Sequence, residues 1–265
     1  MSTSSIIYRP AGRAGEYAGY AANLYTGCPH GCKYCYVPKM LRMSPEEFHK
    51  QAVPKPNVLT RLEKDLKKLG KLDEPIFLCF SCDPYPSGCD TSITREAIKL
   101  IKASGNNVQI LSKSGLFADR DFDLLDSGDE YGVTLAAYHT SIWEPNTAPT
   151  HERLISILQA KEWGIRTWVS FEPVIEPDWT LELIGAAAET GCDIVKIGKL
   201  NYHPHAKTIN WAKFAQEAKD MCESLGVNYV LKADLAAYLH CPMDCSNCVR
   251  NASCEDLREA AEVGR

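Results

Sequence analysis

Three thiols fall within eight residues, at Cys28, Cys32 and Cys35, in the run Gly27-Cys28-Pro29-His30-Gly31-Cys32-Lys33-Tyr34-Cys35-Tyr36. The spacing C-x3-C-x2-C is that of a metal site. Iron–sulfur clusters are held by cysteine thiolates, and a short Cys-rich loop lets successive sulfurs reach neighbouring irons. Gly27 and Gly31 let such a loop curl through backbone conformations that other residues resist. No fourth cysteine stands nearby, so a cluster bound here has one iron without a protein thiolate, open to another ligand. The competing chemistry is zinc, with His30 completing a closed Cys3His site.

A second thiol constellation lies near the end of the sequence, at Cys241, Cys245, Cys248 and Cys254. Its C-x3-C-x2-C-x5-C spacing supplies four thiolates, enough for either an auxiliary 4Fe-4S cluster or a structural zinc. The chain has 12 cysteines and no signal sequence after Met1. They read as reduced thiols or metal ligands rather than a secreted disulfide framework. Cys89, Cys192 and Cys222 have no partners at metal spacing and read as packing residues. With no apolar run long enough to span a bilayer, the expectation is a soluble cytoplasmic protein.

These groups need a frame, and 265 residues at 45% hydrophobic content are enough for one large α/β domain. Buried-strand runs are expected at Tyr20–Tyr25, Ile76–Phe80, Val108–Leu111, Val133–Ala137, Arg166–Phe171 and Ile194–Ile197, with a possible seventh at Tyr229–Leu231. Between them lie helical patterns at Asn57–Leu69, Thr94–Ala103, Asp119–Leu125, His151–Trp163, Leu181–Thr190 and Trp211–Leu225. Strand–helix repeats of this kind imply a parallel sheet with right-handed crossovers. Eight would close a barrel; six make a partial (β/α)6 barrel of the TIM type. The expected division is a lead-in over residues 1–19, the barrel over 20–232 and a Cys-rich extension over 233–265.

In parallel β/α folds the chemistry gathers at the carboxyl ends of the strands. The three cysteines follow the first strand, Ser81 and Asp83 the second, Ser112 and Lys113 the third and His139 the fourth. Glu172 follows the fifth, and Lys196 and Lys199 surround the end of the sixth. The net charge of −5 is unevenly spread: residues 1–71 carry 12 Lys/Arg against 5 Asp/Glu, the remainder 17 against 29. A basic N-terminal third could meet a phosphate backbone. Lys64, Lys67, Lys68 and Lys71, at helical spacing, fit a solvated helix face instead.

The cysteine motif resembles that of the radical S-adenosylmethionine (radical SAM) superfamily. Further stretches resemble its spore photoproduct lyase-like branch: Tyr25-Thr26-Gly27-Cys28, Asp83-Pro84-Tyr85-Pro86, Ser112-Lys113-Ser114 with Arg120-Asp121, and Glu144-Pro145 with Arg153-Leu154. The resemblance covers about residues 6–232. It implies a 4Fe-4S cluster on Cys28, Cys32 and Cys35 with SAM on the open iron, one-electron cleavage of SAM to a 5′-deoxyadenosyl radical, and hydrogen abstraction from substrate. The implied substrate is a nucleic-acid base or nucleotide, or else a small molecule or peptide, and the implied reductant a low-potential donor such as a flavodoxin or ferredoxin. Carried over by position, Tyr34 lies near the adenine, and Ser81 and Asp83 stand where the family more usually has Gly-Gly-Glu for the methionyl amino group. Ser112, Lys113 and Arg153 become candidates for the SAM carboxylate and ribose, with Glu144 beside them. Cys82 or Cys79 is a candidate hydrogen-atom donor, as a cysteine is in spore photoproduct lyase, and the tail favours an auxiliary cluster by analogy. The reading from another class is an Fe–S or zinc protein that binds nucleic acid or senses redox state without catalysis.

Overall fold

Short apolar runs, mostly buried on both faces, build the sheet. The computed structural model describes residues 5–240, so the expected ligands Cys241, Cys245, Cys248 and Cys254 lie outside the described residues. The strands are β1 (Ile7–Tyr8), β2 (Tyr20–Ala22), β3 (Tyr25–Thr26), β4 (Val53–Pro54), β5 (Ile76–Leu78), β6 (Val108–Ser112), β7 (Glu130–Thr134), β8 (Arg166–Val174), β9 (Ile194–Lys199) and β10 (Tyr229–Leu231). The helices are α1 (Val37–Leu41), α2 (Pro45–Phe48), α3 (Val58–Leu69), α4 (Ser92–Ala103), α5 (Thr140–Trp143), α6 (Thr150–Glu162), α7 (Pro177–Glu189), α8 (Trp211–Leu225) and α9 (Ala233–Ala236). The result is an α/β fold on a mostly parallel sheet. No helix among the described residues is long and apolar enough to cross a membrane.

Contacts divide the chain into two units, Met1–Thr134 with His139–Trp168, and Leu135–Tyr138 with Val169–Arg265. In the first, the strand order is β1-β2-β5-β6-β7. β1 runs antiparallel to β2, with Ile7 opposite Ala22; β2, β5, β6 and β7 are parallel, in registers such as Tyr20↔Ile76, Ile76↔Val108 and Gln109↔Glu130. The start of β8 belongs here too. A Cβ at Gly132 of β7 would stand 2.5 Å from the Trp168 ring, so the indole depends on a glycine beneath it. Helix α3 buries Val58, Leu62 and Leu66 at i, i+4 and i+8 and turns Lys64, Lys67 and Lys68 to solvent. The exposed Lys67–Glu63 pair on that helix, 2.7 Å, agrees with the solvated-face reading of these lysines.

The second unit holds the rest of β8, then β9 and β10, the last two parallel with Tyr229 opposite Val195. Its helices α7 and α8 pack on one another. Gly198 leaves room there for the Glu172 carboxylate, which a Cβ would meet at 2.8 Å.

Three differences from the sequence reading bear on the site. The expected first strand, Tyr20–Tyr25, is two strands in two sheets. Asn23 ends the first piece by accepting from Ser81 N and donating to the Tyr8 hydroxyl, and β3 then pairs with β4. The expected strand Ile76–Phe80 stops at Leu78, because Cys79 has φ +74°. The lead-in contributes β1, pinned by Asp65 Oδ2, which accepts from Ile6 N and Ile7 N at 2.6 and 3.0 Å.

Candidate metal centre and cofactor site

The candidate metal and cofactor residues within the described chain belong to the first unit, as does His139, whereas the strand-end residues Glu172, Lys196 and Lys199 belong to the second. Strand β3 delivers the chain to Gly27, whose φ is +82° and whose added Cβ would stand 2.1 Å from the Gln51 carbonyl oxygen. Cys28 N donates to Phe48 O at 3.0 Å, and His49 Nδ1 lies 2.8 Å from Cys28 O. Gly31, at φ +67°, allows the second bend, and Cys35 N closes a turn on Cys32 O at 3.1 Å. Both glycines thus adopt the curled conformation their place in the motif suggested. Cys28, Cys32 and Cys35 are half-buried and free. Burial pushes the Cys28 and Cys32 thiols up to about 12, and raises Cys35 as well. Such sulfurs ionise readily only beside a strong positive charge, and a bound metal supplies it. The donor set therefore fits a three-cysteine iron–sulfur site.

The zinc alternative with His30 does not fit. His30 is buried, its Nε2 accepts from Ser87 N at 3.3 Å, and the Ser114 hydroxyl is 3.3 Å from the same nitrogen. Nδ1 faces Asp83 Oδ2 at 3.6 Å, too long for a hydrogen bond. Because Ser87 N is a donor, the ring proton belongs on Nδ1. Burial lowers the His30 pKa despite the Asp83 carboxylate, so the ring is neutral and turned to protein partners. Among the described residues, no three His, Cys, Asp or Glu side chains converge on a point suited to a single ion. Cluster ligands have no such need, since each thiolate binds its own iron.

A distant segment fixes the loop from one side. Lys33 N donates to Trp143 O at 2.9 Å, Asn146 N to His30 O at 3.2 Å and Asn146 Nδ2 to Pro29 O at 2.8 Å. The Tyr34 hydroxyl donates to Glu144 Oε1. Glu144 is held in turn by Arg153, with Nη1 at 2.7 Å from Oε2, an ion pair rather than an aligned hydrogen bond, and both side chains fully buried. Burial would raise the Glu144 carboxyl, but Arg153 and Lys113 hold it below the ordinary range. Arg153 also donates to Thr134 O, Ala148 O and the Thr147 hydroxyl. Its guanidinium is therefore committed internally.

Asp83 is a second anchor. Oδ1 accepts from Tyr85 N and the Ser112 hydroxyl, and Oδ2 from Lys113 N, all at 2.8 Å. It staples the end of β5 to the end of β6. Ser112, itself buried, also accepts from Ser114 N at 3.0 Å. Ser112 and Arg153, both buried, have their polar groups engaged with these internal partners. Lys113 is different. Its ammonium lies 5.9 Å from the centre of the Tyr34 ring and makes no ion pair among the described residues. Burial works against its charge, but Cys32, Glu144 and Asp83 outweigh that and raise its pKa. A cation kept charged beside the cysteine loop, with no carboxylate of its own, is the part of this site suited to an anionic ligand group.

Cys79 and Cys82 bracket the turn after β5. Cys79 is buried at a left-handed φ, and the Cys82 sulfur lies 3.9 Å from Tyr25 O, with the Cys79 thiol beside it. Burial holds the Cys82 thiol well above its ordinary pKa, so it keeps its proton. Ser81 is half-buried with its N–H on Asn23 Oδ1. Sequence reasoning missed Asn146, whose only signal was its place two residues after Glu144. It also missed α1 and α2, although Ser44-Pro45-Glu46-Glu47 is a helix start in which Ser44 Oγ accepts from Glu47 N at 3.1 Å.

A family model described as the radical SAM superfamily matches residues 22–191. An uncharacterized protein of Mycobacterium tuberculosis is 26% identical over 213 residues, 72% of this chain and 61% of the relative. An uncharacterized protein of Acidianus two-tailed virus is 27% identical over 198 residues, 67% of this chain and 64% of the relative. The chain thus spans a little over six tenths of the length of these curated relatives. Among solved structures, a cysteine variant of spore photoproduct lyase aligns with TM-score 0.66 at 15% identity, covering 85% of this chain and 80% of that one. A form of the same enzyme with bound AdoMet and dinucleoside spore photoproduct aligns with TM-score 0.63 at 15% identity, covering 82% and 76%. SuiB of Streptococcus suis bound to precursor peptide SuiA aligns with TM-score 0.61 at 11% identity, covering 82% of this chain and 50% of that one. At these identities the likeness is one of fold.

Proposed function

The chain belongs to the radical SAM superfamily, enzymes of radical chemistry, and from that premise we propose that it cleaves SAM reductively at a 4Fe-4S cluster on Cys28, Cys32 and Cys35 and acts on a nucleic-acid base or nucleotide. The observation that carries the first part is the set of three free, half-buried thiols on one pinned loop. When bound, the cluster with SAM supplies a 5′-deoxyadenosyl radical, which takes hydrogen from substrate. The chain's own residues bind and orient. Lys113 neutralises the SAM carboxylate, the Tyr34 ring stands beside the adenine, and Glu144, Arg153, Asp83 and Ser112 hold those two in place. Ser81 offers its hydroxyl to the methionyl amino end. Cys82, with Cys79 next to it, keeps an S–H from which a product radical can regain hydrogen.

The nucleic-acid substrate is supported by the spore photoproduct lyase structures, whose ligand is a dinucleoside photoproduct. A peptide substrate is the second reading, supported by the SuiB complex with its precursor peptide. To the tail cysteines, whose spacing suits either metal, we assign an auxiliary 4Fe-4S cluster by analogy with the family, with zinc as the alternative. The test is anaerobic reconstitution, then incubation with SAM and dithionite and quantification of 5′-deoxyadenosine. Wild type forms it, and Cys28→Ala/Cys32→Ala/Cys35→Ala does not. A colourless zinc protein that yields none sinks the proposal. Deuterium transfer from an oligonucleotide or a peptide into 5′-deoxyadenosine then separates the two substrate readings.

A further inference from the structure

A cavity of about 290 Å³ opens beside His30, lined by the turns that follow β5 and β6 and by the segment that pins the cysteine loop. Tyr34, Lys113 and Glu144 do not line it, so it is not the place assigned to SAM. Phe117 does, a large apolar ring that is nonetheless 46% exposed. The Arg120 guanidinium stands 5.4 Å from the centre of that ring. Arg95 takes Asp123 with two bonds and Asp121 with a third, which leaves Arg120 only a 3.8 Å approach to Asp121. Two lining residues keep a polar group in hand. Ser87 N donates to His30 Nε2 and Asn146 Nδ2 donates to Pro29 O, but the Ser87 hydroxyl and Asn146 Oδ1 make no hydrogen bond among the described residues.

We propose that this cavity takes one unpaired nucleobase of a single-stranded nucleic acid, stacked on Phe117, with Arg120 on the adjoining phosphate. The inference rests on the nucleic-acid reading of the substrate and adds to it the strand form and a site for a base that does not itself react. Size selects the ligand first: small-molecule sites run upward from roughly 300 Å³, so this one holds a single ring system. An aromatic face for the base beside a cation for the backbone is how proteins hold single strands. The Ser87 hydroxyl both donates and accepts and Asn146 Oδ1 accepts, which suits the mixed edge of a base. An aromatic side chain of a peptide would fill the same volume and leave both groups unpaired. A base within a duplex is stacked on both faces and paired at its edge, so its entry costs an unstacking and unpairing that a single strand avoids.

The reconstituted full chain is titrated with a fluorescently labelled single-stranded oligodeoxythymidylate, and with the duplex it forms with oligodeoxyadenylate, and binding is read by anisotropy. The single strand binds at least about tenfold more tightly than the duplex. Phe117→Ala weakens single-strand binding about tenfold, while Phe117→Tyr, which keeps a ring, stays at the wild-type affinity. Arg120→Gln lowers the slope of log K against log salt by about 0.7, one phosphate on a single strand. In Phe117→Trp the oligonucleotide quenches the added indole, a signature that a merely structural ring does not give. Equal affinity in wild type and Phe117→Ala overturns the proposal. So does quenching in Phe117→Trp by SAM alone, which makes the cavity the cofactor's adenine site, or by free thymidine monophosphate at the oligonucleotide's concentrations, which makes the ligand a free nucleotide. An oligonucleotide that passes deuterium to 5′-deoxyadenosine yet binds Phe117→Ala as it binds wild type leaves the substrate reading intact and removes this site alone. Ring-dependent single-strand binding by a wild type that forms no 5′-deoxyadenosine with dithionite defeats the SAM-cleaving reading and leaves the base site standing.

Discussion

The two flanks of the cysteine loop are built on opposite plans. On one, Asp83, Ser112, Glu144 and Arg153 are buried and bound to one another and to the backbone; on the other, α1 and the segment to β4 leave apolar and basic side chains in solvent. The first flank fixes coordinates, and the second faces solvent. The contrast teaches that a polar residue at a strand end is not thereby a ligand contact. Asp83 and Arg153 stand where ligand-binding residues are sought, yet their hydrogen-bonding groups face protein. Lys113, between the two plans, has its backbone on the buried side and its ammonium uncommitted.

Removing one member of the buried pair tests the contrast hardest. Arg153→Met leaves Glu144 ionised and unpaired and should lower the unfolding free energy by about 3–5 kcal/mol. Adding Glu144→Gln should return part of that loss, measured by denaturant titration of the single and double variants. Asp83→Asn keeps one acceptor oxygen where three donors converge and should cost about 2 kcal/mol, with a drop in 5′-deoxyadenosine yield as the β5 and β6 ends part.

A smaller effect of opposite sign is expected at Asp119, in the 3-10 helix after β6. It accepts from the Ser156 hydroxyl on one oxygen, while its Oδ2 is buried without a hydrogen-bond partner among the described residues. Burial raises this carboxyl to about 6, above its unfolded value of about 3.9. The folded state therefore favours the protonated acid, and stability falls as pH rises from about 4 to about 6, then levels. Asp119→Asn should flatten that slope and add about 1 kcal/mol at pH 7, a figure discounted for partial exposure. Smallest of all is Lys113→Met: stability within about 0.5 kcal/mol of wild type, with SAM affinity about tenfold weaker by equilibrium binding. A large loss of stability there would erase the distinction between the flanks.

Much of this was legible in the sequence. The cysteine spacing and its glycines gave the loop, and the apolar runs gave every long strand to within a few residues, because parallel strands buried on both faces leave an unbroken hydrophobic signal. The break at Asn23 was hidden inside such a run. The hold of residues 143–146 on the loop was hidden more deeply, since Lys33 meets a backbone carbonyl of Trp143 and Tyr34 meets a carboxylate 110 positions away. Arg153 was visible as a cation, but only its tertiary neighbours show that it faces inward. Spacing reveals which residues share a site; it does not reveal which of them are already satisfied.

Gly27 has a consequence for transplantation. Its carbonyl neighbour at Gln51 leaves no room for a side chain, and Cys28 N donates its hydrogen bond to Phe48 O. A graft of the cysteine motif alone into another scaffold would therefore arrive without the strand that shapes it. The smallest portable cassette runs from Tyr25 to Pro54 and must be met by a docking segment equivalent to Trp143–Asn146. Within that cassette the seam between Gly27 and Gln51 admits no insertion of bulk, and of the helix pair between them only the solvent-facing positions, away from buried Val37, Pro38 and Phe48, are open to change.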